Sequence, residues 1–252
     1  MTTLRSKLQR SEVVLGTMAT LPSPEVTRVL ASCGLDWIGI DLEHGPIGIG
    51  VANQMIQATA GCDCASLVRI PDDNLQLARP ALDSGACGLI VPMVKTGKDV
   101  ASSLEYMRYP PLGARGVGPA LAALRWRMSV PEYLAAANDA LTGFFLIEQI
   151  DAVENLDEIL SMQGVDAAII APFDLSASMG RTGQLDHPDV ASAIARAEAK
   201  ILESNVALGG LALTEEDART KRARGYRVIT LSYDVQLLQS QLGSLVQGLK
   251  EA

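Results

Sequence analysis

Aromatic residues are scarce in this chain, with three Phe, two Trp and five Tyr among 252 residues. The hydrophobic share is nevertheless 48%, so Ala, Val, Ile and Leu must fill the core. Positive charge is also in deficit. Twenty-one Lys and Arg face 29 Asp and Glu, giving a net charge of −8 and an isoelectric point near 4.8. An acidic chain with no basic stripe does not read as a binder of nucleic acid or of anionic membrane; it favours cations. There are four cysteines, Cys33, Cys62, Cys64 and Cys87, and no second close pair completes a zinc site with Cys62 and Cys64. They read as reduced thiols of a cytoplasmic protein. A long uncharged stretch, residues 45–62, contains Pro46, Asn53, Gln54 and Gln57 and makes a poor membrane span. Arg5, Lys7 and Arg10 precede the apolar Val13–Leu21 in the manner of a signal peptide. Glu12 interrupts that pattern, and a first β-strand is the better reading.

What the sequence does have is a rhythm. Short apolar runs recur near Val13–Ala19, Trp37–Leu42, Ala65–Ile70, Gly88–Val94, Phe144–Gln149, Asp166–Ala171, Val206–Ala212 and Tyr226–Leu231. They are continuous rather than alternating, as in parallel strands buried on both faces. Helical patterns fall between them, at Pro24–Ser32, Gly50–Ala60, Asn74–Ser84, Lys98–Met107, Ala152–Met162, Val190–Ser204, Glu215–Arg224 and Val235–Leu249. Prolines at first helical positions, Pro24 and Pro188, and the cap Thr214 mark starts; Gly34 and Gly225 mark stops. His187, just before Pro188, reads as a surface cap. This alternation predicts an α/β protein, a single-domain (β/α)8 TIM barrel over residues 1–252. The rhythm breaks between Met107 and Phe144, where Pro110, Pro111, Gly113, Gly116 and Gly118 precede a helix near Pro131–Leu141. That excursion reads as an active-site or interface loop.

In such a barrel, polar residues at the C-terminal ends of strands carry the chemistry. Glu148 and Asp174 leave neighbouring strands, which run about 5 Å apart. Both carboxylates can therefore reach one Mg²⁺ or Mn²⁺ ion, with water and substrate oxygens completing the shell. Alternatively, Asp174 caps the following helix and Glu148 pairs with Arg69. His44 follows Asp41 by three residues at the end of strand two, so that carboxylate could orient its imidazole as a general base; the other reading is structural. Arg69, ending an apolar strand, must face a carboxylate or an anionic oxygen. Asp83, on its own, reads as the end of a helix. Two motifs fail: Lys95-Thr96-Gly97-Lys98 lacks the upstream glycine of a phosphate loop, and Gly113, Gly116 and Gly118 do not make a dinucleotide fingerprint.

Taken together the segments 36–46 (DWIGIDLEHGP), 68–71 (VRIP) and 88–94 (GLIVPMV) resemble the class II pyruvate aldolases of the 4-hydroxy-2-oxoheptanedioate aldolase family, within the citrate-lyase-like superfamily. Segments 109–111, 115–118, 147–148, 153–156 and 172–176 extend the resemblance over most of the chain. It implies that Glu148 and Asp174 hold a divalent metal (Mg²⁺, Mn²⁺ or Co²⁺) and that Arg69 stabilises an enolate oxygen. It further implies that His44, held by Asp41, handles protons through a metal-bound water. Backbone amides near Pro172, Phe173 and Asp174 would receive the substrate carboxylate. Asp83 would enter a neighbouring subunit's site in a homohexamer, with the C-terminal helix exchanged or packed between subunits. Ala171, Phe173 and Ala123 depart from the family pattern and bear on the aldehyde-side pocket. The expected activity is reversible cleavage of a 4-hydroxy-2-oxo acid to pyruvate, or hydroxypyruvate, and an aldehyde. No strand-end lysine is placed for imine chemistry; Lys95 is the only near candidate. An oxaloacetate decarboxylase or related bond-forming enzyme would use the same site, and a non-catalytic barrel is the alternative from another class.

Overall fold

The computed structural model describes residues 3–71 and 74–250. Eight parallel strands close into a barrel in chain order: β1 (Val14–Ala19), β2 (Trp37–Asp41), β3 (Ala65–Arg69), β4 (Gly88–Val91), β5 (Thr142–Ile147), β6 (Ala167–Ile170), β7 (Ala207–Ala212) and β8 (Val228–Tyr233). Every expected strand is present. β8 extends two residues beyond its expected end, to Tyr233, and β4 stops early because Met93 turns the chain into a left-handed conformation (φ 58°).

Two apolar layers hold the barrel. Inside it, Met18, Trp37, Leu67, Ile90, Phe144 and Val228 pack together; outside, residues such as Ile38, Val68, Leu89, Phe145 and Ile229 face the helices. The few aromatics are spent where volume is needed: Trp37 and Phe144 meet edge to face across the barrel, 5.4 Å between ring centres. The helix Leu4–Gln9, not foreseen from the sequence, places Leu4 and Leu8 in the same inner cluster and closes the N-terminal end. Arg5 anchors that helix through Asp166 at 2.9 Å.

The helical layer follows the expected caps. Ser23 accepts from the Val26 amide and Thr214 from the Asp217 amide, and His187 caps Pro188–Leu202 by accepting from the Asp189 amide. Gly34 and Gly225 take positive φ where their helices stop. The pattern at Ala152–Met162 resolves into Ile150–Glu154 and Leu156–Ser161, broken at Asn155. The expected helix after β4 runs Gly97–Met107, and the excursion beyond it holds helices Ala120–Arg125 and Val130–Ala140.

The last helix, Asp234–Lys250, is the exception. Its apolar stripe (Val235, Leu238, Leu242, Leu245, Val246, Leu249) is exposed, so it does not lie on its own barrel as an ordinary eighth helix. A groove of about 420 Å³ lined by Leu15, Leu213, Ala218, Leu231 and Leu237 stands open on the barrel wall. No helix of the described residues is long and apolar enough to cross a membrane.

Gly16 on β1 leaves the space that Trp37 occupies: a Cβ there would lie 2.1 Å from the indole Cε2. Gly16→Ala is therefore expected to destabilise the fold by about 1–3 kcal/mol through overpacking, read as a lower urea midpoint. An unchanged midpoint would show that the indole has room to move.

Candidate active site

The site is built on one register. β2 and β3 pair so that Asp41 lies beside Arg69. The guanidinium grips the buried carboxylate at both ends, Nε to Oδ1 at 2.8 Å and Nη2 to Oδ2 at 2.6 Å. Burial works to raise the Asp41 pKa, but Arg69 outweighs it and holds the carboxyl below its ordinary range. Asp41 Oδ1 also accepts from the backbone amides of Glu43 and His44, fixing the turn that ends β2. Gly45 is required in that turn, since a Cβ would lie 2.5 Å from the Asp41 carbonyl oxygen.

This corrects one expectation. Asp41 holds the His44 amide, not its imidazole: Arg69 and the Glu43 and His44 amides take up its two oxygens. The imidazole is 67% exposed, with Nε2 3.8 Å from Glu43 Oε2, and Glu43 Oε2 is in turn 3.3 Å from Arg69 Nε.

Across the barrel mouth, Glu148 follows β5 and is only 4% exposed. Its Oε1 accepts from the Met93 amide at 2.5 Å, a contact made by the left-handed turn at Met93. Burial pushes its pKa up to about 7; the Met93 amide opposes this, while Asp174 and Glu43 add to it and Arg69 subtracts. Asp174 sits in the first turn of Pro172–Ser178, where a carboxylate suits the helix dipole, but it makes no capping bond. Nor does Glu148 pair with Arg69, whose ion-pair partners are Asp41 and Glu43. Neither the Asp174 capping bond nor the Glu148–Arg69 ion pair that the sequence offered is formed.

A cavity of about 110 Å³ gathers Arg69, Glu148, Pro172, Phe173 and Asp174, together with Thr230 and Tyr233 of β8. Phe173 is 60% exposed at its mouth. No group of three or more His, Cys, Asp or Glu among the described residues is arranged to hold a metal by itself. Two hard carboxylates remain, one raised in pKa by burial and the other without a hydrogen-bond partner among the described residues. That donor set fits a hard divalent ion that keeps water and substrate oxygens in its shell.

Asp83, ending the helix Ala78–Asp83, lies outside the cavity. Its Oδ1 accepts from Nη2 of the fully buried Arg115 at 2.6 Å, and that guanidinium stacks on Tyr109 at 4.5 Å. Ala123 is buried, and Arg125 turns toward the other end of the barrel, donating to Thr59 Oγ1 at 2.7 Å. Met93 and Tyr233 were not foreseen as site residues. Their signals, a left-handed turn and a bulge in pairing, exist only in three dimensions.

The HpcH/HpaI aldolase/citrate lyase family model matches residues 16–240. The chain belongs to that family. A hydroxypyruvate/pyruvate aldolase of Deinococcus radiodurans is 38% identical over 250 residues, covering 99% of this chain and 90% of the relative. A 4-hydroxy-2-oxo-heptane-1,7-dioate aldolase of Escherichia coli is 36% identical over 235 residues, 93% of this chain and 89% of the relative. Among solved structures, a HpcH/HpaI aldolase/citrate lyase family protein from Burkholderia cenocepacia superposes with a TM-score of 0.91 at 33% identity, covering 98% of both chains. The enzyme is a carbon–carbon lyase of the aldolase type.

The raised Glu148 pKa has a sign that can be read in stability. An unfolded glutamate ionises near 4.5, the folded one near about 7, so the native state binds the extra proton between them. This group's contribution is complete below that window and is lost as pH rises through it. In chelator, the urea midpoint of the wild type is expected to fall relative to Glu148→Gln between about pH 5 and pH 8. Parallel pH profiles for the two proteins would refute the burial effect.

Proposed function

We propose that this enzyme reversibly cleaves 4-hydroxy-2-oxo acids into pyruvate, or hydroxypyruvate, and an aldehyde. The observation that carries this reading is the buried Glu148 beside the unpartnered Asp174, facing Arg69 across one cavity at the C-terminal mouth of the barrel. Glu148 and Asp174 would hold Mg²⁺, Mn²⁺ or Co²⁺. A divalent ion bound there supplies Lewis acidity at the keto oxygen, which makes a proton on C3 removable. Arg69, locked by Asp41, turns its charge toward the oxygen that becomes enolate. The first turn at Pro172, Phe173 and Asp174 receives the substrate carboxylate. His44 at the rim, steered by Glu43, moves the proton. No lysine lines the cavity among the described residues, which supports a route without an imine.

Deuterium exchange into the methyl group of pyruvate tests the reading without knowledge of the aldehyde. The wild type with Mg²⁺ or Mn²⁺ is expected to exchange. Chelation reversibly abolishes exchange, and Glu148→Gln loses it with the barrel intact by circular dichroism. Undiminished exchange in exhaustively chelated protein would overturn the metal-dependent assignment. Turnover of oxaloacetate with no aldehyde partner for the enolate would favour the decarboxylase instead.

The second part of the proposal concerns assembly. The exposed apolar stripe of Asp234–Lys250 and the open groove beside β8 support a homo-oligomer, a hexamer in which Asp83 completes a neighbour's site. Sedimentation is expected to give a mass well above the 26.7 kDa chain. Because Asp83 also holds the buried Arg115, truncation to Ala would strand that charge. Asp83→Asn keeps a hydrogen-bond acceptor and is the sharper probe. It should lower turnover per folded protein, with some fall in the unfolding midpoint because the counter-charge of Arg115 is lost; a fully active monomer at assay concentration would refute the shared site.

A further inference from the structure

The end of β8 departs from regular pairing. Gly16 of β1 is opposite Thr230, but Met18 is opposite Tyr233, so two steps along β1 match three along β8. The extra residue is Ser232, a non-glycine residue held at φ 54°. Thr17 secures the bulge by donating its hydroxyl toward the carbonyl oxygens of Leu231 at 2.8 Å and Ser232 at 3.1 Å.

The bulge changes which way the next side chain points. Val228 and Thr230 face the barrel interior, while Ile229 and Leu231 face the outer layer. Continued alternation would send residue 232 inward and Tyr233 outward. Instead Ser232 borders the outer groove, and Tyr233 packs on the inner cluster and lines the cavity with Arg69, Glu148 and Asp174. A strained bulge beside a cavity that re-aims one large side chain into it is a functional device. The Tyr233 hydroxyl has no hydrogen-bond partner among the described residues. Burial pushes its pKa up, against Arg69 and with help from Asp174 and Asp41, so at neutral pH it stays protonated and keeps a proton to donate.

We propose that Tyr233 contacts substrate on the aldehyde side, donating a hydrogen bond to the aldehyde oxygen and so setting which aldehydes are accepted. The inference rests on the aldolase reading above. Within that reading the carboxylate, keto and enolate oxygens of the 2-oxo acid already have partners, and the aldehyde oxygen has none. In the synthetic direction, C3 loses a proton and its electron pair forms the bond to the aldehyde carbon. The carbonyl π pair moves onto the aldehyde oxygen, which then takes a proton from the site's acid–base group. Tyr233 keeps its own proton and stabilises that oxygen while it is negative. Its ring and Phe173 are the two phenyl surfaces of the cavity wall.

Tyr233→Phe removes the hydroxyl alone. Aldol addition of pyruvate to glycolaldehyde is compared with methyl deuterium exchange, which needs no aldehyde. The expected result is a loss of about 10²-fold in kcat/KM for glycolaldehyde, against less than about threefold in exchange. Equal losses in both reactions, or no loss in the aldol reaction, overturn the proposal. Tyr233→Gln, which returns a donor without the ring, is expected to recover part of the loss; a variant no better than Phe also counts against the hydrogen bond. A wild type that fails to exchange refutes the aldolase reading itself, independently of Tyr233.

Discussion

The bidentate pair between Arg69 and Asp41 decides what the rest of the site can be. One cation stands in a mouth that also holds Glu43, Glu148 and Asp174. Free to rotate, a guanidinium would neutralise the nearest carboxylates and cancel any place for a metal ion. Asp41 prevents this by occupying two of its donors in a planar fork that only arginine can satisfy. A fully buried carboxylate is costly to ionise alone, and the cost is offset because Asp41 also anchors the Glu43 and His44 amides. One side chain thus fixes a charge, a turn and the place of the histidine.

The separation that results is electrostatic. Arg69 is held on the β2–β3 side, and Glu148 and Asp174 remain on the β5–β6 side with no ion pair among the described residues. Burial raises the Glu148 pKa, and the neighbouring Asp174 and Glu43 add to it, so the folded chain holds a proton there more readily than an unfolded glutamate does. On the proposed assignment, a proton and a metal ion would compete for that buried carboxylate. The Met93 amide biases that contest toward the ionised form by giving one oxygen a fixed donor, at the expense of a left-handed backbone at a residue with a side chain.

The strands and their polar ends were legible because parallel strands buried on both faces are continuous apolar runs, and a charged residue closing such a run stands out. Asp41, Arg69, Glu148 and Asp174 were found that way. What each one touches was not legible, since it depends on the register between strands: Asp41 opposite Arg69 leaves nothing for the imidazole of His44. Met93 and Tyr233 escaped because they look like core residues until the turn and the bulge aim them. The apolar stripe of Asp234–Lys250 was visible, but periodicity marks a face and says nothing about which surface covers it. Its exposure came only with the fold.

Asp234 follows Tyr233 directly and is buried, accepting from the Thr20 and Leu21 amides at 2.9–3.0 Å and from the Thr20 hydroxyl at 2.6 Å. It clamps the start of the last helix to the end of β1. The residue that reaches into the cavity and the residue from which the protruding helix departs are therefore covalent neighbours, with a single clamp between them. Insertion or deletion of one residue at this joint would rotate the tyrosine out of the cavity and swing the helix to a new bearing together. A substitution at position 233 would therefore alter the cavity alone, whereas a change of length between the bulge and Asp234 would alter the cavity and the helix at once.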